Sequence, residues 1–155
     1  MTERPKPERR EAYAFFRTMT TRWMDNDVYQ HINNTTYYAF FDTAVCQYLI
    51  EQGALDIEKS PVIGLVAETM CRYSSSIAFP SKIHAGLRVA HQGNSSVRYE
   101  VALFKDDEDI ASAQGHFVHV YVDRLTGRPV PLPDKLKSAI APLLRPASAA
   151  IKGGK

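Results

Sequence analysis

The stretch 33–53, NNTTYYAFFDTAVCQYLIEQG, narrows the fold more than any other part of this chain. Tyr37, Phe41, Ala44, Val45 and Tyr48 recur at helical spacing. Asn33 or Asn34 can cap the start and Gly53 the end. Tyr38, Phe40 and Leu49 add apolar surface away from that stripe. A helix apolar on nearly every side is expected to be buried on most of them. The fold must therefore supply a concave apolar surface for one long helix.

The segments around it have the other period. Residues 12–23 (AYAFFRTMTTRW) read as a strand leading into a polar turn, and residues 62–79 read as extended. Ile83, Ala85, Leu87 and Val89 alternate with His84, Gly86, Arg88 and Ala90. Val97, Tyr99, Val101 and Leu103 alternate in the same way, as does the run 110–122. Turns fit at Gln92-Gly93-Asn94 and at the acidic 106–109. A closing amphipathic helix is expected from Asp134, with Leu136, Ile140 and Leu143 on one side. One flat sheet of a small domain cannot hide an all-apolar helix, but a strongly curved antiparallel sheet wrapped around it can. The expected class is α+β, with the arrangement of the hotdog fold.

At 155 residues the chain is long enough for one domain with a real core and too short for two ordinary ones. The ends are polar or small: 1–10 is expected to be a flexible tail, 11–145 the domain, and 146–155 a second flexible tail. The net charge of +2 misleads until it is located. Residues 1–10 hold four bases and two acids and 141–155 three bases and no acid, which leaves 12 bases and 15 acids in 11–140, a net of −3. An acidic body gives no broad footprint for nucleic acid. No apolar run approaches the ~18 residues of a membrane span, and the start has no apolar signal region, so a cytoplasmic protein is expected. Cys46 and Cys71 lie apart from any second Cys or His motif and read as reduced, partly buried hydrophobes.

The densest polar segment, Arg22 to Asn34 (RWMDNDVYQHINN), stands at the entrance to the helix. The helix start offers unpaired N–H groups and the positive end of the dipole, suited to polarising a carbonyl oxygen. A carboxylate beside it can attack, or deprotonate water. The pattern W-x-D-x-D-x-x-x-H-x-N-N-x-x-Y over 23–37, followed by YYAFFDTA, resembles the 4-hydroxybenzoyl-CoA thioesterase-like family of hotdog acyl-CoA thioesterases. The resemblance follows element order over 13–125 and is sharp over 22–53.

It implies that Asp27 is the catalytic carboxylate and that the Asn34 backbone N–H binds the thioester oxygen; His31 is read first as a structural hydrogen-bonder, with a direct catalytic role as the alternative. Asp25, Gln30, Asn33 and Tyr37 are expected around the substrate. It further implies a homodimer or a pair of dimers (a homotetramer) with sites formed between subunits, no metal, and no cofactor beyond the coenzyme A of the substrate. Two departures stand out. Gln30 occupies a position where many members have Gly. The turn at 92–94 lacks the basic cluster that some members use for the CoA phosphates, which leaves Ser95, Ser96, Arg98 or Lys82 for that task.

Elementary chemistry agrees with this kit. A carboxylate with the ordinary aspartate pKa of ~3.9 is ionised at neutral pH, and a thiol of pKa ~8.5 leaves as thiolate without a strong acid. Whether Asp27 attacks carbon or activates water stays open, and acyl carrier protein as the thiol carrier, or a non-catalytic acyl-CoA binder, are the alternatives. Asp25, Asp27 and His31 fail as an EF-hand, because Gln30 and Thr36 stand where Gly and Glu are needed. No G-x-S-x-G elbow occurs. Asp42 and Glu68 are further acids, read first as structural.

Overall fold

A computed structural model describes residues 5–145. Five strands form one antiparallel sheet: β1 (Phe15–Thr20), β2 (Val62–Tyr73), β3 (Lys82–Gln92), β4 (Ser96–Lys105) and β5 (Ala113–Asp123), in the order β1-β3-β4-β5-β2. β1 and β2 follow one another in sequence but occupy opposite edges, so their connection must cross the sheet. That connection is α1 (Asn34–Glu51), which rests on β3 and β4. Register shifts at Val66/Glu68 in β2 and Val89/His91 in β3 mark bulges, which bend strands and increase twist. The curved sheet around one helix is the hotdog arrangement.

The helix ends where its sequence says. The Asn33 side chain caps the start by accepting the Thr35 N–H at 3.0 Å. Ile32 and Tyr37, on either side of that cap, are both buried in the main core, the placement of a hydrophobic staple. At the other end Gly53 takes a φ of 72°, and the Gly53 and Ala54 N–H groups return to the Ile50 and Leu49 carbonyls, closing a Schellman motif. Phe41 and Val45 are fully buried against the inner faces of the strands. The helix is less enclosed than expected: Ala39, Asp42, Thr43, Gln47 and Ile50 are exposed.

Other boundaries shift. The first strand begins at Phe15 rather than residue 12, because Arg10–Ala12 form a 3-10 turn. The extended reading of 62–79 holds only to Tyr73, and 74–79 leaves the sheet. The turns at 92–95 and 106–109 are present, and α2 (Asp134–Ile140) buries Leu136 and Ile140 and is followed by the buried Leu143.

The start of the chain is tied down sooner than its composition implies. Glu8 accepts the Ala111 N–H through its carbonyl and donates its own N–H to Gln114. Its carboxylate pairs with Arg88, which also bonds Glu100 and lies over the Tyr13 ring at 4.4 Å. This segment covers a second, small apolar cluster of Tyr13, Ala102, Phe104 and Ala111 on the convex face. The expected tail at 146–155 lies outside the described residues. No helix among the described residues is long and apolar enough to cross a membrane.

Candidate active site

The segment between β1 and α1 folds on itself before it meets anything else. Asp25 anchors it: its buried carboxylate accepts the Arg22 backbone N–H at 2.8 Å and the Arg22 guanidinium at 2.9 and 3.1 Å. Its carbonyl accepts the Asn33 N–H at 2.9 Å, which fixes the first residue of the cap. Asn26 and Ile32 form an isolated antiparallel bridge, and Asp27 N–H donates to the His31 carbonyl at 2.8 Å. Asp25 was expected at the substrate, but its acceptor oxygens are spent holding this loop.

Gln30 sits at the tip with a φ of 64°. That left-handed conformation is the one glycine adopts at no steric cost, so the loop keeps the glycine geometry with a side chain attached. The Gln30 side chain is exposed and does not line the cleft described next.

Asp27, His31, Ile32, Asn34 and Tyr37 line an open cleft of about 410 Å³ together with Tyr73 and Ser74–Ser76. One Asp27 oxygen accepts the Tyr29 N–H at 2.9 Å, and among the described residues the other has no protein partner. The helix start is arranged so that one donor is left over. Thr35 N–H goes to the Asn33 side chain and Thr36 N–H to the Asn33 carbonyl. Asn34 N–H, which has no carbonyl a turn behind it, forms no hydrogen bond among the described residues. A carboxylate and an unspent helix N-terminal donor thus share one cleft.

The opposite wall was not anticipated. The Tyr73 hydroxyl donates to the Asn34 carbonyl at 3.1 Å, and the Tyr37 and Tyr73 rings meet edge to face at 4.9 Å. Burial raises the Tyr37 hydroxyl above its ordinary value against the pull of the Ile77 backbone, and the nearby Asp27 carboxylate adds to the rise. Tyr37 therefore stays a neutral donor at physiological pH. Ile32 N–H donates to the Ile77 carbonyl at 2.7 Å, and Phe79 N–H to the Asn26 side chain at 3.1 Å, so the 74–79 segment is stitched to the loop it faces. The run Ser74-Ser75-Ser76 before Pro80 is a loop signal that could have ended the strand at Tyr73.

Ser95, Ser96 and Arg98 lie apart from this cleft. They stand at the start of β4, whereas the cleft is near Leu103, which β5 joins to Tyr73 through Ala113. The seven-residue step from Ser96 to Leu103 spans about 23 Å of strand. Arg98 pairs with Glu100 at 3.0 Å. Lys82 begins β3, its N–H donating to the Asp106 carboxylate.

Glu68 is also outside the cleft, bonded to His116 at 2.6 Å. The two cysteines are half-buried, and burial pushes both thiols up to about 11. Asp42, one helical turn before Cys46, accepts from its thiol at 3.6 Å. Among the described residues no group of three or more His, Cys, Asp or Glu side chains is placed to hold a metal ion.

Solved structures share this arrangement. The PA5185 protein from Pseudomonas aeruginosa strain PAO1 is 54% identical, with a TM-score of 0.88 over 93% of this chain and 100% of that one. The PA2801 protein of Pseudomonas aeruginosa is 27% identical over 83% of this chain and 99% of its own, with a TM-score of 0.76. A thioesterase from Thermus thermophilus, complexed with coenzyme A and Zn, is 26% identical over 86% of this chain and 96% of that chain, with a TM-score of 0.71. Residues 21–140, which span the loop, the helix and the whole sheet beyond β1, match the family described as the thioesterase-like superfamily, and the chain belongs to it.

Proposed function

We propose that the protein is an acyl-CoA thioesterase of the 4-hydroxybenzoyl-CoA thioesterase-like group, acting in the cytoplasm. The observation that carries this reading is the unspent Asn34 N–H at the start of a helix that opens into the same cleft as the Asp27 carboxylate. The substrate carbonyl oxygen accepts from Asn34 N–H, where the helix dipole favours the charge that develops on attack. Asp27 takes the proton of an attacking water or attacks the carbonyl carbon itself. In either route the C–S bond breaks, the sulfur leaves as thiolate, and water supplies the oxygen of the free acid. His31 lines the cleft as a polar neighbour of the reacting groups. This chemistry uses no metal and no cofactor beyond the coenzyme A of the substrate.

The working unit in this proposal is a homodimer. β2 is a long edge strand with Leu65 and Val66 exposed, and an unpaired apolar edge is a surface for strand pairing. Antiparallel pairing of two β2 edges brings the β3–β4 turn end of one copy toward the cleft end of the other. Ser95, Ser96 and Arg98 then meet the CoA portion at the partner's cleft. The Thermus thermophilus relative was solved with coenzyme A, which supports that carrier over an acyl carrier protein.

The test is thiol release from short, medium, long and aromatic acyl-CoAs, read with a chromogenic disulfide, for wild type and Asp27→Asn, with mass measured by light scattering. Turnover is expected in wild type and a loss of about 10²-fold or more in kcat in the variant. Unchanged turnover in folded Asp27→Asn removes Asp27 from the mechanism, and a monomeric mass removes the shared site.

A further inference from the structure

The Asn34 N–H can polarise a carbonyl only if its direction is fixed. Asn34 is exposed and is the first residue of α1, the place where helices fray. Two peptide units meet at its Cα. The first carries the N–H and is steadied from upstream, where the Asn33 N–H is bound to the Asp25 carbonyl at 2.9 Å. The second carries the Asn34 carbonyl. A helical carbonyl accepts the N–H four residues on and keeps a second lone pair. The Tyr73 hydroxyl donates to this carbonyl at 3.1 Å. Among the described residues, this is the one hydrogen bond that ties the Asn34 backbone to the sheet.

The hydroxyl comes from a pinned position. Tyr73 is the last residue of β2 and is paired with Ala113 of β5. The next two N–H groups, of Ser74 and Ser75, both return to the Ser112 carbonyl, at 2.8 and 3.1 Å. The Tyr73 ring meets the Tyr37 ring edge to face at 4.9 Å, and Tyr37 is itself buried in the main core. Backbone and ring are therefore both held, and the hydroxyl has a set place against the start of the helix. Burial raises this hydroxyl above its ordinary value, so it stays a donor at neutral pH. α1 rests on β3 and β4, so the contact from the edge strand β2 is an addition to the general packing of the helix.

We propose that Tyr73 is a positioning residue for thioester hydrolysis: its hydroxyl holds the Asn34 backbone so that the N–H meets the carbonyl oxygen in the transition state. The inference rests on the acyl-CoA thioesterase reading and adds to it a residue that acts through Asn34. A donor that loses its direction matters most where charge has built up on the oxygen and least where the bound carbonyl is still neutral. Removing the hydroxyl is therefore expected to lower kcat and kcat/KM together.

Tyr73→Phe keeps the ring against Tyr37 and removes only the hydroxyl, at a residue that is 42% exposed, so no core cavity opens. With the acyl-CoA that wild type turns over best, kcat is expected to fall roughly three- to tenfold, the scale of one hydrogen bond, with KM unchanged within about twofold. A second readout needs no substrate. In 15N-labelled protein the Asn34 N–H signal is expected to be displaced in Tyr73→Phe by more than the signals of Thr35 and Thr36, whose N–H groups Asn33 holds. Because the ring stays, its ring current does not account for that displacement.

Unchanged kcat in the folded variant, with or without a lower Tm, makes the contact structural only and overturns the proposal. A raised KM with kcat intact assigns the hydroxyl to substrate binding and overturns it too, as does an Asn34 signal that does not move. Each of these leaves the thioesterase reading standing. Absence of turnover in wild type across the acyl-CoA panel removes both.

Discussion

Gly115→Ala is the substitution whose cost the coordinates define best. Gly115 sits on β5 opposite Cys71 of β2, with its missing side chain directed at the junction of β2 and α1. A Cβ there would stand 1.9 Å from the Met70 carbonyl oxygen, 2.8 Å from Phe41 Cε2 and 2.9 Å from Cys71 Cα. Ordinary contact begins at 3.4 Å, so β2 would have to retreat by 1.5 Å, the difference between 3.4 and 1.9. Two of the three obstacles are backbone and the third is a fully buried ring, so no side-chain rotation relieves the clash.

Overpacking of this kind costs ~1–3 kcal/mol, and weakening one ladder hydrogen bond adds about 1, for a total of roughly 2–4 kcal/mol. In a chain of this size each kcal/mol moves Tm by ~2–4 °C, which places the expected loss at about 5–15 °C. The assay is thermal unfolding followed by circular dichroism, with Gly93→Ala as control. At Gly93 the nearest atom is the Ser96 hydroxyl at 2.9 Å, the free end of a side chain that can turn away. A Gly115→Ala midpoint within about 2 °C of wild type, or no lower than that of the control, would refute the close approach of β2 and β5.

Further outcomes follow from the loop, the buried histidine and the thiols. Asp25→Ala removes three accepted hydrogen bonds and is expected to lower stability by about 1–2 kcal/mol in urea titration and to lower kcat as well, because the backbone that carries the Asp25 carbonyl to Asn33 loses its anchor on Arg22; equal activity would show that the cap is set elsewhere. Burial depresses the His119 pKa from its ordinary 6.5, so on acidification the unfolded chain takes up that proton first. Stability is expected to be fully present above about pH 6.5 and to fall below it, with a shallower fall in His119→Phe between pH 7.5 and 5.5; identical slopes would exclude His119 as the source. With both thiols pushed up to about 11 by burial, Cys46 and Cys71 are expected to react with a disulfide reagent at pH 7.5 more slowly than a free thiol, and stoichiometric release within the mixing time would contradict their burial.

The parts of this fold legible in sequence are those governed by local rules. The helix from Asn34 to Glu51 announces itself by period, cap and closing glycine, and the strands β3 to β5 by strict alternation with turn residues between them. The candidate site was legible only where it is contiguous: Asp27, His31, Asn34 and Tyr37 come from one stretch and line one cleft. Tyr73 and Ser74–Ser76 were not, because extended periodicity says nothing about where a chain leaves a sheet or which loop it then faces. Asp25 was misplaced for a different reason: composition shows a carboxylate, but only geometry shows that Arg22 occupies it. Glu8 likewise looks like tail until Arg88, eighty residues away, is seen beside it.

The closed loop from Asp25 to Asn34 has a consequence for how such proteins diversify. Its shape is set by bonds within the thirteen residues 22–34, plus two stitches to the segment that follows β2. The opposite wall is Tyr73, at the end of the edge strand β2, and the serine run after it, which share few constraints with that loop beyond the Tyr73 bond to Asn34. Substrate preference can therefore drift by changing one strand while the proposed reaction centre is inherited as a unit. For the same reason, exchanging β2 and the serine run between homologues is a more promising way to engineer new specificity than altering the helix, whose buried face is already committed to the core.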